Sequence, residues 1–355
     1  ALISLATGSS WTTSATVGIA LIGIGKALGI PVGMVAGAVL SGAYFGDKLS
    51  PLSDTTNLAP AMAGADLFTH IRYMTHTTVP SILVTLIVFI ILGIGFSGDG
   101  AAKSQELLAA MNEVFTINLL LFIVPIIVIV MIVRKTPPLV ALFAGTILGA
   151  IAALIFQQEL LLSLSGESTL SLYGTYHVII DAITVSTEIE TTSAALTDLF
   201  QSGGMEGMLG TIWLIICAMV FGGVMDAIGA LSTISAALLS MAQSTFQLFA
   251  STVASCLAIN ITASDQYLSI VVPGKMFEKA YKDRGLAPEN LSRTLEDSGT
   301  VTSVLIPWNT CGAYQSCVLG VDVSQYFFYA IFNWLSPFMT LFFAAFQIKI
   351  KQRLS

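Results

Sequence analysis

Charge is what this chain has least of. Among 355 residues there are 14 Lys or Arg, 21 Asp or Glu and 3 His, so charged side chains make up 10% of the sequence, against roughly 25% in soluble globular domains. That shortage excludes a nucleic-acid partner, which needs a clustered basic face. Together with an apolar fraction of 55%, it also excludes an ordinary soluble core. Cysteine is scarce as well: Cys217, Cys256, Cys311 and Cys317 stand in apolar surroundings without CxxC or Cys/His ligand spacing, so neither a disulfide framework nor a metal cluster is expected. No HExxH occurs, and Gly8-Ser9-Ser10 has no His placed to activate a nucleophile, which leaves an intramembrane hydrolase without its parts. No cofactor is expected. Lys and Arg are absent throughout 157–207, where Glu159, Glu167, Asp181, Glu188, Glu190, Asp198 and Glu206 all occur.

Long apolar runs fill the remainder, and they predict an all-α polytopic membrane protein. Spans are expected at 30–45, 78–96, 115–133, 138–156, 208–226 and 246–262, with a shorter helix at 230–241 and a closing helix at 324–348. Residues 15–25 cover only ~16 Å, about half a bilayer, so the segment around Thr7-Gly8-Ser9-Ser10-Trp11-Thr12-Thr13-Ser14 predicts a re-entrant hairpin with a polar tip. Arg134 and Lys135 sit in a short loop, which places that loop on the cytoplasmic side. The Thr/Ser-rich stretch 184–197 predicts an amphipathic surface helix, and 97–114 a polar loop. His70, Arg72 and His76 read as an interfacial elbow, and 275–297, with five basic and five acidic residues, as a charged loop.

The stretch Ser50-Pro51-Leu52-Ser53-Asp54-Thr55-Thr56-Asn57-Leu58-Ala59-Pro60 organises the rest. It puts a carboxylate, hydroxyls and an amide between apolar flanks, where such groups persist only facing protein or water. Its prolines predict a broken helix with free ends beside the side chains. A second polar tip lies at Thr262-Ala263-Ser264-Asp265, and a second break at Pro307-Trp308-Asn309-Thr310. The order repeats: Thr7–Ser10, Asp54–Asn57, Asp66 and Pro80 in the first copy, Thr262–Asp265, Pro307–Thr310, Asp322 and Pro337 in the second. Paired interrupted segments point to an inverted-repeat transporter with re-entrant hairpins and broken helices; by that logic the chain is N-terminally truncated by about 140 residues. The expected parts are 1–96, a first transport part; 97–245, scaffold helices of the second repeat with a polar loop at 157–207; and 246–355, a second transport part.

The stretches Thr7–Ser14, Gly46–Pro60, Ala263–Tyr267 and Ile306–Ala313 resemble the NhaC-type sodium/proton antiporters of the ion transporter superfamily. The resemblance implies inverted repeats whose tips enclose an ion site, elevator-like alternating access, and either Na+/H+ exchange or a sodium-coupled exchange of small organic acids such as malate and lactate. A carboxylate in a low-dielectric cavity can hold a proton or, ionised, a cation. Asp54 and Asp265 are the expected coupling acids, with Asp47 a third. Ser9, Ser10, Thr12, Ser53, Thr55, Thr56 and Asn57 complete coordination on one side, Ser264, Asn309 and Thr310 on the other, and Na+ is assigned to Asp54, Asn57, Asp265 and Asn309. Those hydroxyls could instead simply cap broken helix ends. The implied partners are Na+, H+, the lipid bilayer of the cytoplasmic membrane and, in the second reading, a small organic acid, with a homodimer left open.

Overall fold

The computed structural model describes residues 1–94, 109, 111–134, 136–169, 171–189, 191, 197 and 200–353. Most of the expected polar loop at 97–114, Lys135, and part of the expected surface helix at 184–197 lie outside the described residues. Among the described residues the chain is helical, with only two isolated bridges, Thr187 to Ser202 and Leu286 to Gln352. Among the described residues four helices are long and apolar enough to cross a membrane: Leu67–Ile94, Leu139–Phe156, Gly204–Ala227 and Thr245–Thr262.

Two compact units are distinguished, one of Ala1–Ile22, Pro31–Phe96 and Thr211–Ser355, the other of Gly23–Ile30 and Ser97–Gly210. In the second unit, α7 (Ile123–Val133) packs along α8 (Pro138–Phe156) around Val128 and Ala141, and α9 (Gln158–Ser165) along α10 (Leu172–Thr184). Many large apolar side chains of α7 and α8, among them Ile126, Leu139, Phe143 and Ile155, are exposed, as a lipid-facing surface requires.

The first unit begins with α1 (Leu2–Thr7) and α2 (Ser10–Thr13), a π-helical turn at Ser14–Gly18, and α3 (Ile19–Ala27), which leads into the other unit. Next come α4 (Val32–Leu49), α5 (Asp54–Ala63) and α6 (Leu67–Ile94). After α11 (Gly204–Ala227) and α12 (Ala230–Ser240) follow α13 (Thr245–Thr262), α14 (Gln266–Asp283) and α15 (Pro288–Leu295). A second π-helical turn, Glu296–Thr300, precedes α16 (Thr310–Leu319), α17 (Val323–Tyr326) and α18 (Ile331–Ala345). Small residues permit close approach along α4: a Cβ on Gly37 would lie 2.4 Å from the Tyr329 backbone, and one on Gly33 2.3 Å from the Gln325 carbonyl.

Three expectations are corrected. The expected elbow is the first turns of α6, whose start Asp66 caps by accepting the Thr69 N–H at 2.9 Å. That bond and the Thr69 hydroxyl hold the Asp66 carboxyl below its ordinary range. His70 is therefore not interfacial: it is buried, with Nδ1 2.7 Å from the Ser292 hydroxyl. The expected charged loop 275–297 is instead the C-terminal half of α14, then α15 and the start of the π turn, with Arg293, Glu296 and Asp297 fully buried. The closing helix divides at Phe327–Ala330, leaving α17 and α18.

At the centre of this unit Lys48, in the last turn of α4, donates to Asp297 Oδ1, and both side chains have zero exposure. Asp297 Oδ2 accepts from the Thr77 hydroxyl of α6 at 2.9 Å and from Thr340 of α18. Removing one partner of such a pair strands a charge, whereas replacing both with apolar groups does not. Lys48→Met should therefore destabilise the protein by about 3–5 kcal/mol. Adding Asp297→Leu should recover most of that loss, as read from thermal melts of the detergent-solubilised protein.

Candidate functional site

Each of the four polar tips and breaks singled out from the sequence starts a new helix in the first unit with a side-chain cap. Ser9 Oγ accepts the Thr12 N–H at 3.1 Å, Ser53 Oγ the Thr56 N–H at 3.4 Å, Asp265 Oδ1 the Leu268 N–H at 2.9 Å, and Asn309 Oδ1 the Cys311 N–H at 3.0 Å. These polar residues fall where they do because a broken helix leaves N–H groups that only a side-chain oxygen can satisfy away from water. The capping role considered from sequence is thus present at all four.

The interruptions match in pairs at a constant offset of 256 positions: Gly8 with Ser264, Ser9 with Asp265, Pro51 with Pro307, Ser53 with Asn309, Gly64 with Gly320, and Asp66 with Asp322. The geometry matches too. Gly8 (φ 68°) and Ser264 (φ 59°) are left-handed immediately before a cap; Gly64 (φ 72°) and Gly320 (φ 62°) are left-handed at the ends of α5 and α16, each 10 residues long. The structure therefore aligns the tips one residue away from the Thr7–Ser10 and Thr262–Asp265 correspondence, and Pro80 falls opposite Ser336 rather than Pro337.

Within each pair the tip touches its break. A Cβ on Gly8 would lie 2.6 Å from the Leu52 carbonyl carbon, so only glycine allows this contact. In the second pair the Thr310 N–H donates to the Ser264 carbonyl at 2.9 Å. Across the pairs the contacts are reciprocal. Trp11, two residues after its cap, stacks on Tyr314 of α16 with ring centres 4.0 Å apart; Tyr267, two residues after Asp265, donates to Asp54 Oδ2 of α5.

The residues singled out from sequence fall into distinct settings. Asp54 is exposed at the start of α5, accepting from its neighbour's Thr55 N–H at 2.8 Å as well as from Tyr267. Asn57 is exposed, and its amide donates to the Pro51 and Ser53 carbonyls at 3.0 and 2.6 Å. Ser10, Thr12, Ser53, Thr55, Thr56, Ser264, Asp265, Asn309 and Thr310 are buried, and Ser9 is half-buried. Thr56 Oγ1 donates to the Asp47 and Lys48 carbonyls at 3.2 and 3.1 Å, closing the end of α4 against the start of α5. Asn309 reaches the other way, its amide donating to the Asn260 carbonyl at 3.1 Å. Asp47 is buried, with Oδ2 accepting the Ser10 N–H at 3.0 Å and Oδ1 unpartnered among the described residues. Asp54 and Asp265 both act electrostatically on Tyr267, which stands between the first break and the second tip.

Hydroxyls, amide and main-chain carbonyls at these breaks, with an exposed acid and buried ones, suit a hard monovalent cation. Among the described residues no three His, Cys, Asp or Glu side chains gather closely enough to hold a metal ion, so a cation here would rest largely on neutral oxygens. Sequence reasoning missed Tyr267 as the link between the pairs, and missed the buried charges of α15 and the following turn. The signal for Tyr267 was its place at Trp11 plus 256; for Glu296 and Asp297 it was two acids entering Ser298-Gly299-Thr300, the start of an apolar run.

The model of the Na+/H+ antiporter family matches residues 42–348. Relatives include the Na+/H+ antiporter NhaC of Alkalihalophilus pseudofirmus, 40% identical over 96% of this chain and 71% of its own length. The NhaC of Bacillus subtilis is 34% identical over 96% and 72%, and the malate-2H+/Na+-lactate antiporter of the same organism 35% identical over 94% and 68%. No solved structure matches. The chain belongs to the Na+/H+ antiporter family.

Proposed function

We propose that this protein is a secondary transporter of the cytoplasmic membrane that exchanges Na+ for H+ by alternating access. The observation that carries the reading is the pairing of capped helix breaks: two tip-and-break sets at one offset, each tip on its own break and each aromatic on the other set's helix. Such matched discontinuous helices are what an inverted-repeat transporter uses to build a site at its repeat interface, and Leu67–Ile94, Leu139–Phe156 and Gly204–Ala227 are apolar helices long enough to cross a membrane. In this reading the re-entrant hairpins are α1–α2 and α13–α14, and the transport parts are 1–96 and 246–355.

Asp54, held by Tyr267, receives the cation from water. Asp265 and Asp47 supply negative charge deeper in, and the oxygens of Ser9, Ser10, Thr12, Ser53, Thr55, Thr56, Asn57, Ser264, Asn309 and Thr310 replace the hydration shell. Na+ and H+ then exclude each other electrostatically, because a cavity with few compensating cations cannot hold both. That exclusion, with reorientation only of the loaded forms, is what couples the gradients.

A second reading keeps the sodium site and adds a small organic acid, favoured by four helix N-termini facing the breaks, whose N–H groups attract anions. The two are separated by reconstituting the full-length protein in liposomes with a trapped pH dye. A pH change on adding Na+ alone is the expected result; a change that needs malate or lactate on the opposite side would replace cation exchange with carboxylate exchange. Asp54→Asn should abolish the Na+-driven change, and Tyr267→Phe, which leaves the acid but removes its donor, should raise the Na+ concentration needed for half-maximal rate without abolishing exchange. Wild-type behaviour of Asp54→Asn would remove that residue from the site.

A further inference from the structure

Beside the Lys48–Asp297 pair is a buried carboxyl with no hydrogen-bond partner among the described residues, the Thr300 hydroxyl of the same turn being the nearby donor that acts on it. Glu296 begins the π-helical turn after α15, has zero exposure, and neither of its oxygens has a hydrogen-bond partner among the described residues. Its neighbour Asp297 is fully engaged by Lys48, Thr77 and Thr340, so Lys48 is already spent on another acid. A buried carboxylate without donors is far costlier than the neutral acid, and π-helical turns of this kind recur at functional positions.

The matched architecture makes no demand for these charges. At the offset of 256 positions Glu296 corresponds to Leu40, Asp297 to Ser41 and Arg293 to Gly37, while Asp47 and Lys48 correspond to Ser303 and Val304. Helix breaks, caps and left-handed positions are kept in both sets; these buried charges occur in one member of each pair. Glu296 is joined to the site through its neighbours: Asp297, the next residue, accepts from Lys48, which directly follows Asp47, and the Thr56 hydroxyl of α5 donates to the Asp47 and Lys48 carbonyls two positions after Asp54. Asp47 keeps one oxygen without a partner among the described residues.

We propose that Glu296 is the residue that carries the exchanged proton, separate from the oxygens that hold Na+. The inference rests on the exchange reading and names the proton-holding group within it. With no cation bound, Glu296 is a neutral carboxylic acid. Arrival of Na+ at Asp54 and Asp47 adds a positive charge within reach of Glu296 and favours ionisation. The O–H bond breaks, the electron pair stays on the carboxylate beside Lys48, and the proton leaves to water. On the other face reprotonation restores the neutral acid and weakens the hold on Na+. Two ions at distinct sites are coupled in this way by a reciprocal interaction energy.

Groups on the elements packed against the turn define its titration. Asp47 and Lys48 come from α4, Asp54 from α5, His70 from α6, Cys256 from α13, and Glu289 and Arg293 from α15; α14 carries Tyr267 near its start, Tyr281, and charges from Lys275 to Asp283, and α18 carries no titratable group. The test compares wild-type protein with Glu296→Gln, reconstituted at full length, in two assays: Na+-driven pH change and exchange of radioactive Na+ for unlabelled Na+. Loss of the pH change with retained Na+/Na+ exchange is expected. A pH change at wild-type rate would overturn the proposal, as would loss of both activities in a monodisperse variant, which would make Glu296 part of the cation site or the scaffold. If wild-type protein itself gives no Na+-driven pH change, it is the exchange reading that fails. Should Glu296→Gln not fold, Glu296→Asp decides: a displaced pH dependence of exchange supports the assignment, and a profile superimposable on wild type overturns it.

Discussion

A lysine and an aspartate 249 positions apart, both without exposure, hold the first unit at its centre. Neither charge could be buried alone; Lys48 is neutralised by Asp297, and Asp297 in turn needs the hydroxyls of Thr77 and Thr340. That requirement draws α4, α6, the π turn and α18 to one point. Because Lys48 directly precedes the Leu49-Ser50-Pro51 break, fixing its ammonium also fixes where α4 ends and where α5 must restart. The Thr56 hydroxyl, donating to the Asp47 and Lys48 carbonyls, registers the restart against that end.

Around this anchor the fold repeats one local device. A left-handed residue followed by a capping oxygen at a helix start occurs at Gly8–Ser9 and Ser264–Asp265, and a proline, a cap, a helix of 10 residues and a left-handed glycine at 51–64 and 307–320. Capped breaks expose main-chain ends at depth without leaving them unsatisfied, which is what a site for a desolvated ion needs. The buried charges are laid over this device asymmetrically. In the proposed exchange, the buried acids Asp47, Asp265 and Glu296, each without an acid at the matched position, supply the net charge that makes Na+ and H+ alternatives.

Much of this was legible in the residues. Apolar run length foretold the four spanning helices, and Ser/Thr/Asn/Pro clusters marked all four breaks, because only polar side chains can serve an interrupted helix in an apolar setting. The repeat was visible, though Ser264 in a left-handed conformation obscured its register: the glycine signal of Gly8 has no glycine opposite it. The buried charges were missed for a physical reason. Charged residues at 275–297 resemble solvent-facing loop, since burying them is costly unless each is paired or neutral, and the partner of Asp297 lies in a distant part of the chain. His70 was misread likewise; its partner Ser292 is on α15.

Mutual exclusion of Na+ and H+ in one electrostatic cavity is the claim on which the functional reading stands. Its most direct measure is the equilibrium affinity of the purified full-length protein for Na+, titrated calorimetrically over a range of pH in the absence of any gradient. Exchange of one proton for one Na+ predicts that the apparent Kd rises as pH falls, by up to about tenfold per pH unit, with proton release on binding. An affinity independent of pH, with no protons released, would contradict it.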